Sequence, residues 1–73
     1  MTREMFNEIA KAKFEAIVGI EIECSLITAK EGIFVTIIAE GNKKNELSAL
    51  PNLDGGIDYD EELNETFAYV KLS

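Results

Sequence analysis

Two neighbouring runs of alternating apolar and polar residues constrain the fold more than any other feature of the chain. A period of two is typical of a β-strand with one buried face. The residues predicted to face inward are Val18, Ile20, Ile22, Cys24 and Leu26 in the first run and Ile33, Val35, Ile37 and Ala39 in the second. Residues 29–32 form a short turn that ends in glycine, so we expect a β-hairpin with strands at about 19–28 and 33–40.

Residues 3–17 have the period of an amphipathic helix. Thr2 is placed to act as the N-cap, and Gly19 is placed to end the helix. The apolar side chains fall on two stripes, Phe6, Ala10, Phe14 and Ile17 on one and Met5, Ile9, Ala12 and Ala16 on the other. Together the stripes cover roughly 200° of the helix, whereas packing on one sheet needs about 100–150°. The excess predicts that a second surface, such as one on another chain, covers part of the helix.

The remainder of the chain contains a third predicted strand at 65–72 and a long connection before it. Residues 46–50 predict a helical turn or a short strand, and residues 52–63 predict a loop that leads to a helical turn near 60–64. The sequence therefore predicts one domain, residues 1–73, of the α+β class. One N-terminal helix packs on a three- to four-stranded, mostly antiparallel sheet.

The outer face of this sheet is predicted to be apolar, and the residues that form it are Ile27, Phe34, Ile38, Phe67 and Tyr69. Either the segment 45–63 folds over this face or a second subunit covers it. A chain of 73 residues with one cysteine and no histidine cannot add an internal disulfide or a Cys/His zinc site to a small core. The sequence therefore predicts a homodimer, and the expected dimer-interface residues are Phe34, Ile38, Phe67 and Tyr69.

The negative charge is concentrated in one part of the chain. The formal net charge is −7, and residues 45–65 hold seven acids and no base. One interpretation is a solvated loop that keeps the protein soluble. The other is a recognition surface for a basic partner, because concentrated charge steers association. The predicted partner-binding residues are Glu21, Glu23, Glu46, Asp54, Asp58, Tyr59, Asp60, Glu61, Glu62 and Glu65.

Catalysis and metal binding are not expected. The chain has no histidine to serve as a general base near neutral pH, and Cys24 lies on the inward face of a strand. The acids of residues 54–65 approach the spacing of an EF-hand loop, but Tyr59 stands where that loop requires glycine. We therefore expect no enzymatic activity, no metal and no cofactor.

The charges and the cysteine content also predict which partners and which cellular compartment the protein has. The acidic excess opposes direct binding to nucleic acid. The charged N-terminal helix resembles neither a signal segment nor a membrane span, and the single cysteine suits a reducing compartment, so we expect a cytoplasmic location without membrane contact.

In size, charge and architecture, the whole chain resembles the small acidic inhibitors of host proteins that phages encode. That class includes DNA mimics that block nucleoid proteins such as HU, inhibitors of uracil-DNA glycosylase and anti-CRISPR proteins. The resemblance implies an acidic inhibitor that mimics nucleic-acid charge and occupies the DNA-binding face of a basic host protein. The alternative hypothesis is a non-inhibitory subunit or adaptor that joins a larger assembly through the apolar sheet face.

Overall fold

The computed structural model describes residues 2–72. The elements in chain order are α1 (Arg3–Val18), β1 (Glu23–Ala29), β2 (Gly32–Glu40), α2 (Lys44–Leu47), β3 (Asp58–Asp60) and β4 (Glu65–Lys71). The strands form one antiparallel sheet in the order β1-β2-β4-β3. Because α1 packs on one side of this sheet, the predicted α+β class is confirmed.

The helix α1 begins and ends within a residue of the predicted positions. The Thr2 Oγ1 accepts a hydrogen bond from the Met5 N–H at 3.2 Å, as an N-cap does. Gly19 has a φ of 76°, and its N–H donates to the Glu15 carbonyl at 2.8 Å. Since a Cβ is unfavourable in this left-handed conformation, glycine ends the helix here.

The strand β1 begins at Glu23, later than the predicted start near residue 19. Val18, which the alternation assigns to the strand, is instead the last residue of α1 and is buried there. An apolar residue suits a buried position in either element, so the period of two continued back into the end of the helix and the predicted strand begins about four residues too early. From Ile22 onward the alternation is correct, and Ile22 and Cys24 are both buried.

The predicted hairpin is present. Lys30 and Glu31 form the turn between β1 and β2, and Gly32 follows with a φ of 142°. The register pairs Cys24 with Ile37, so the inward residues of both strands lie on the side of α1. β4 pairs with the other side of β2, and its inward residues include Thr66, Ala68 and Val70, which are all buried.

The short strand β3 lies where the sequence predicts a loop and a helical turn. It pairs with β4 through Tyr59 opposite Thr66, and residues 61–64 form the turn between them. With Tyr59 between two aspartates, β3 shows no apolar alternation that a sequence pattern could detect. The pairing with β4 decides that this segment is extended.

The connection from β2 to β3 packs on the same side of the sheet as α1. Leu47 and Leu50 are buried in the core cluster that α1 shares with the sheet, and Leu53 pairs with Val70 beside β4. Of the two predicted covers for the outer face, the segment 45–63 is therefore excluded. Leu47, Leu50 and Leu53 are used in the core instead, and Leu63 is exposed.

Side chains of α1 partly close the free edge of β1. The Leu26 N–H donates to the Asn7 Oδ1 at 3.0 Å, and the Ile22 N–H next to the strand donates to the Glu15 Oε2 at 3.0 Å. A strand that paired with this edge would need the N–H groups that α1 already binds. This edge is thus less available to a partner strand than an unprotected edge would be.

We expect Leu47→Ala to destabilise the fold by about 2–5 kcal/mol, because it leaves a cavity at a fully buried side chain. Leu63→Ala, at a leucine that is 60% exposed, is the matched control and should change the free energy of unfolding by less than about 0.5 kcal/mol. Urea unfolding followed by circular dichroism measures both. Equal effects would contradict the placement of the connection in the core.

Candidate functional site

The side of the sheet opposite α1, here called the open face, is not covered by any described part of the chain. Antiparallel partners project their side chains to the same side, so the strand register arranges this face in rows. Two of these rows hold most of its charge.

The first row consists of three acids. Glu40 on β2 is paired with Glu65 on β4, and Glu65 is paired with Asp60 on β3. Like charges directly opposite each other destabilise a sheet. We therefore expect this cross-strand arrangement to cost stability, and we call this set the acid row.

The second row places two apolar side chains between two acids. Its residues, in order across the sheet, are Glu23, Ile38, Phe67 and Asp58. Ile38 and Phe67 are each half-buried. With the acid row beside them, this apolar pair has carboxylates on three sides. We call the five acids and the apolar pair together the acid end of the open face.

The rest of the open face is less charged. The next row contains the hydroxyl side chains Ser25, Thr36 and Tyr69, and the last contains Ile27, Phe34 and Lys71. The Lys71 Nζ lies 6.0 Å from the centroid of the Phe34 ring. This distance is the outer limit of a cation–π contact. The face is thus acidic at one end and carries a base at the other.

The acid end is fixed in position by a buried hydroxyl. The Thr66 Oγ1 donates to the Gly41 carbonyl at 2.6 Å and accepts from the Lys43 N–H at 2.8 Å. The Gly41 N–H donates to the Asn64 carbonyl at 2.7 Å. These bonds tie the chain after β2 to the start of β4, so Glu40 and Glu65 stay together.

Two shallow depressions flank the apolar pair. One lies beside Ile38, and its walls include four glutamates, Glu21, Glu23, Glu40 and Glu65. The other lies beside Phe67, and its walls include Asp58, Asp60, Glu61 and Glu62. A ridge between two acid-walled depressions can receive basic side chains on both sides and apolar contact in the middle.

One corner of the acid end is already paired. The Lys11 Nζ donates to the Glu23 Oε1 at 3.4 Å, and this hydrogen bond, with the charge of Glu23, raises the pKa of Lys11. Such an exposed pair contributes little to stability. It does leave Glu40, Asp58, Asp60 and Glu65 as the members of the acid end for which no ion pair is formed among residues 2–72.

The predicted partner-binding residues do not all meet on one surface. Asp58, Asp60, Glu65 and Glu23 lie on the open face, Glu21 adjoins them, and Glu61 and Glu62 lie in the neighbouring turn. Glu46 belongs to α2. Asp54 lies towards the other end of the sheet edge, where its N–H donates to the Tyr69 carbonyl at 2.8 Å.

The two tyrosines among the predicted site residues are also separated. Tyr69 lies on the open face and is 40% exposed. Tyr59 is paired with the buried Thr66 and so faces the side of α1, where its hydroxyl donates to the Asn64 Oδ1 at 2.7 Å. That bond holds the turn between β3 and β4. Tyr59 therefore stabilises the acid end from the α1 side of the sheet.

The four predicted dimer-interface residues, Phe34, Ile38, Phe67 and Tyr69, all lie on the open face. They share it with the acids, so charge and apolar surface belong to one composite site. Glu40 is the acid of this site that is missing from the predicted residues, because only its pairing with Glu65 joins it to the acidic segment. Its place on the outer face of β2 follows from the alternation, but its pairing with Glu65 requires the order of the strands.

Other chemistry has little support in the described structure. No group of three or more His, Cys, Asp or Glu side chains within residues 2–72 is arranged to hold a metal ion. None of the helices described is long and apolar enough to cross a membrane. Burial raises the pKa of the Cys24 thiol to about 11, with smaller contributions from the charges of Glu15 and Glu23. The thiol is therefore protonated near neutral pH.

We expect Cys24 to react slowly with a thiol reagent at pH 8 in the folded protein, because both its raised pKa and its burial suppress the thiolate. In denaturing urea the rate should rise to that of a free cysteine. Since the pKa is raised on folding, stability should also fall as pH rises from about 9 to 11. Cys24→Ala should lack this dependence. Rapid labelling of the native protein would contradict the burial.

We expect Glu65→Gln to stabilise the fold by roughly 0.2–1 kcal/mol, because Glu65 lies between Glu40 and Asp60 in the acid row. The gain should shrink in high salt, which screens the repulsion. Glu31→Gln, in the β1–β2 turn, is the control and should have no measurable effect. Urea midpoints at low and high salt measure both variants, and a destabilised Glu65→Gln would show that the row is not repulsive.

The comparisons with known proteins found no relative of this chain. No protein-family model matches the chain, and neither a curated protein nor a solved structure matches it.

Proposed function

We propose that this protein is a non-enzymatic inhibitor that binds the basic, nucleic-acid-contacting surface of a host protein through the acid end of its open face. One observation carries the proposal. The register brings five carboxylates around the apolar pair Ile38 and Phe67, although these acids come from four different strands. A loop that served only solubility would not need its charges combined with apolar contact area.

The charge of the acid end selects a basic partner. Only Lys11 forms an ion pair with it among the described residues, and Lys71 lies at the far end of the face. A surface of one sign attracts the opposite sign and speeds association. It repels surfaces like itself, so an acidic or neutral partner gains less from this arrangement.

The spacing of the carboxylates supports a partner surface that ordinarily holds phosphates. β3 is extended, so Asp58 and Asp60 project to one side at roughly 6.6 Å. Glu40, Glu65 and Asp60 follow one another across strands that are about 4.8 Å apart. These intervals are about one and a half and two times the axial charge spacing of a nucleic-acid strand, which is about 3.4 Å. Basic side chains arranged for phosphates can therefore pair with these acids.

The apolar pair supports binding to a protein. Affinity at protein interfaces is concentrated in a few central residues, often aromatic, that are surrounded by a polar rim. Phe67 and Ile38 have this position within the acid end. The carboxylates then determine the choice of partner and the rate of encounter, and the apolar pair determines how long the complex lasts.

One observation favours the alternative, an adaptor or subunit of a larger assembly. The apolar surface continues beyond the acid end through Tyr69 and Ile27, which are 40% and 41% exposed. A partner that used mainly this part of the face would bind with little dependence on salt. Salt dependence therefore separates the two functions.

We expect charge removal at the acid end to abolish competition with DNA. The test variant is Glu40→Gln, Asp58→Asn, Asp60→Asn and Glu65→Gln. Asn at position 60 keeps an oxygen for the bonds from the Glu62 and Leu63 N–H groups. The readout is the release of a fluorescent DNA duplex from a basic nucleoid protein such as HU, followed by anisotropy. The wild-type protein should release the duplex at low salt, and the variant should be weaker by on the order of tenfold or more.

The matched control removes four acids that lie elsewhere, through Glu4→Gln, Glu31→Gln, Glu46→Gln and Asp54→Asn. Both variants have the same net charge, and the control includes Glu46 and Asp54 from the acidic segment 45–65. It should compete nearly as well as the wild-type protein. Equal losses in the two variants would show a general effect of net charge. If the wild-type protein releases no duplex from a panel of basic DNA-binding proteins, the inhibitor function is wrong.

A further inference from the structure

The helix α1 carries a second apolar stripe that the fold does not use. Met5, Ile9, Ala12 and Ala16 form it, and all four are exposed. Met5 is 53% exposed and Ile9 is 54% exposed. At about 100° per residue, the stripe lies roughly 170° around the helix from the buried Ala10, Phe14 and Val18. It therefore faces away from the sheet.

We propose that two copies of this protein pair through this stripe, with α1 packed parallel to α1 of the second copy. The stripe residues are separated by four, three and four positions, which is the spacing of a and d positions in a coiled coil. Met5 and Ile9 supply the larger side chains at one end of the seam. Ala12 and Ala16 are small enough for the two backbones to approach closely.

The charges beside the stripe select the parallel orientation. In the heptad that the seam defines, Glu8 and Glu15 occupy g positions and Lys13 occupies an e position. Parallel helices pair g with the e position five residues later on the other helix, so Glu8 meets Lys13 of the second copy, and the symmetric contact forms as well. In the antiparallel orientation the g positions face each other, so Glu8 would have no basic partner: the opposite g residue is Glu15, an acid whose Oε2 accepts from the Ile22 N–H. Only the parallel pair is complementary.

The second copy fits this stripe better than it fits the open face. Two open faces in contact would bring ten carboxylates of the acid ends into one interface, with Lys71 of each copy as the base on the face. The stripe has a much smaller excess, since Lys13 balances Glu8 and the Glu15 carboxylate accepts a hydrogen bond from the Ile22 N–H of its own chain. The cap at Thr2, the end at Gly19 and the buried side already order the helix in one copy. Dimerisation therefore carries no free-energy cost of folding it.

The pairing would make the protein bivalent. α1 and the open face lie on opposite sides of the sheet, so two copies joined through α1 stack in the order sheet, helix, helix, sheet. Both acid ends then face outward. Two linked sites gain affinity for a partner with repeated or paired basic surfaces. This inference stands on the helix alone and does not depend on the identity of the partner at the open face.

The test is the molar mass of the full chain over a concentration series, by sedimentation equilibrium. We expect the wild-type protein to change from monomer to dimer in the micromolar to millimolar range. Ile9→Asp should raise the dissociation constant at least about tenfold, because it places a charge in the seam. Ile27→Asp is the matched control on the open face and should leave the dissociation constant unchanged. Both isoleucines are exposed, so circular dichroism should show an intact fold in each variant.

Charge reversal tests the orientation. In the parallel pair, Glu8→Lys and Lys13→Glu should each weaken the dimer, and the double variant should restore it. In an antiparallel pair, Glu8→Lys would strengthen the dimer through attraction to Glu15. A cysteine at Ala12→Cys should oxidise to a covalent dimer only in the parallel pair, because position 12 then meets its own counterpart.

Three results would overturn the proposal. The first is a monomer at every concentration up to the millimolar range. The second is a dimer that Ile27→Asp dissociates and Ile9→Asp does not, which would move the interface to the open face. The third is a dimer that Glu8→Lys strengthens. The DNA-release assay described above is independent of all three, so failure of the dimer and failure of the inhibitor function are distinguishable.

Discussion

The pairing of β2 with β4 is the interaction on which the rest of the structure depends. Val35, Ile37 and Ala39 lie opposite Val70, Ala68 and Thr66, and none of the six is more than 1% exposed. Because side chains alternate along a strand, the register that buries these six residues also sets the other side of the sheet. It places Ile38 beside Phe67 and Glu40 beside Glu65. The core and the candidate binding surface are thus two consequences of one alignment, and a slip by one residue would destroy both.

The acid row shows how the fold and the proposed function compete. Glu40, Glu65 and Asp60 repel one another in the free protein, yet the buried Thr66 hydroxyl and the turn at Asn64 hold their strands in place. Hydrophobic burial in the core stabilises the fold by more than this repulsion destabilises it. Under the proposed function a basic partner would relieve it, so part of the binding free energy would come from repulsion already present before binding. Preorganised charges of this kind also need no rearrangement when the partner arrives.

The core is built from one side of α1 and one side of the sheet, which leaves an apolar surface on the outer side of each. The connection from β2 to β3 adds Leu47 and Leu50 to the core and so cannot cover the open face. A chain this short has too few residues to cover all of its apolar surface. The two uncovered surfaces differ in charge: the open face is strongly acidic at one end, and the helix stripe is nearly balanced. That difference is why we assign them to different partners, a basic protein and a second copy.

The amino-acid sequence by itself determined the helix, its cap at Thr2, its end at Gly19, the hairpin and the alternation of β4. These features depend on residues within a few positions of each other, where period and capping chemistry act. The sequence also located the charge excess, but it could not say which acids meet. Only the tertiary structure decided that β3 is a strand, that Tyr59 faces the core side, and that Glu40 joins Asp60 and Glu65 while Glu46 and Asp54 lie apart. The physical reason is that strand order and register depend on which distant side chains fill the core together, and no local pattern encodes that choice.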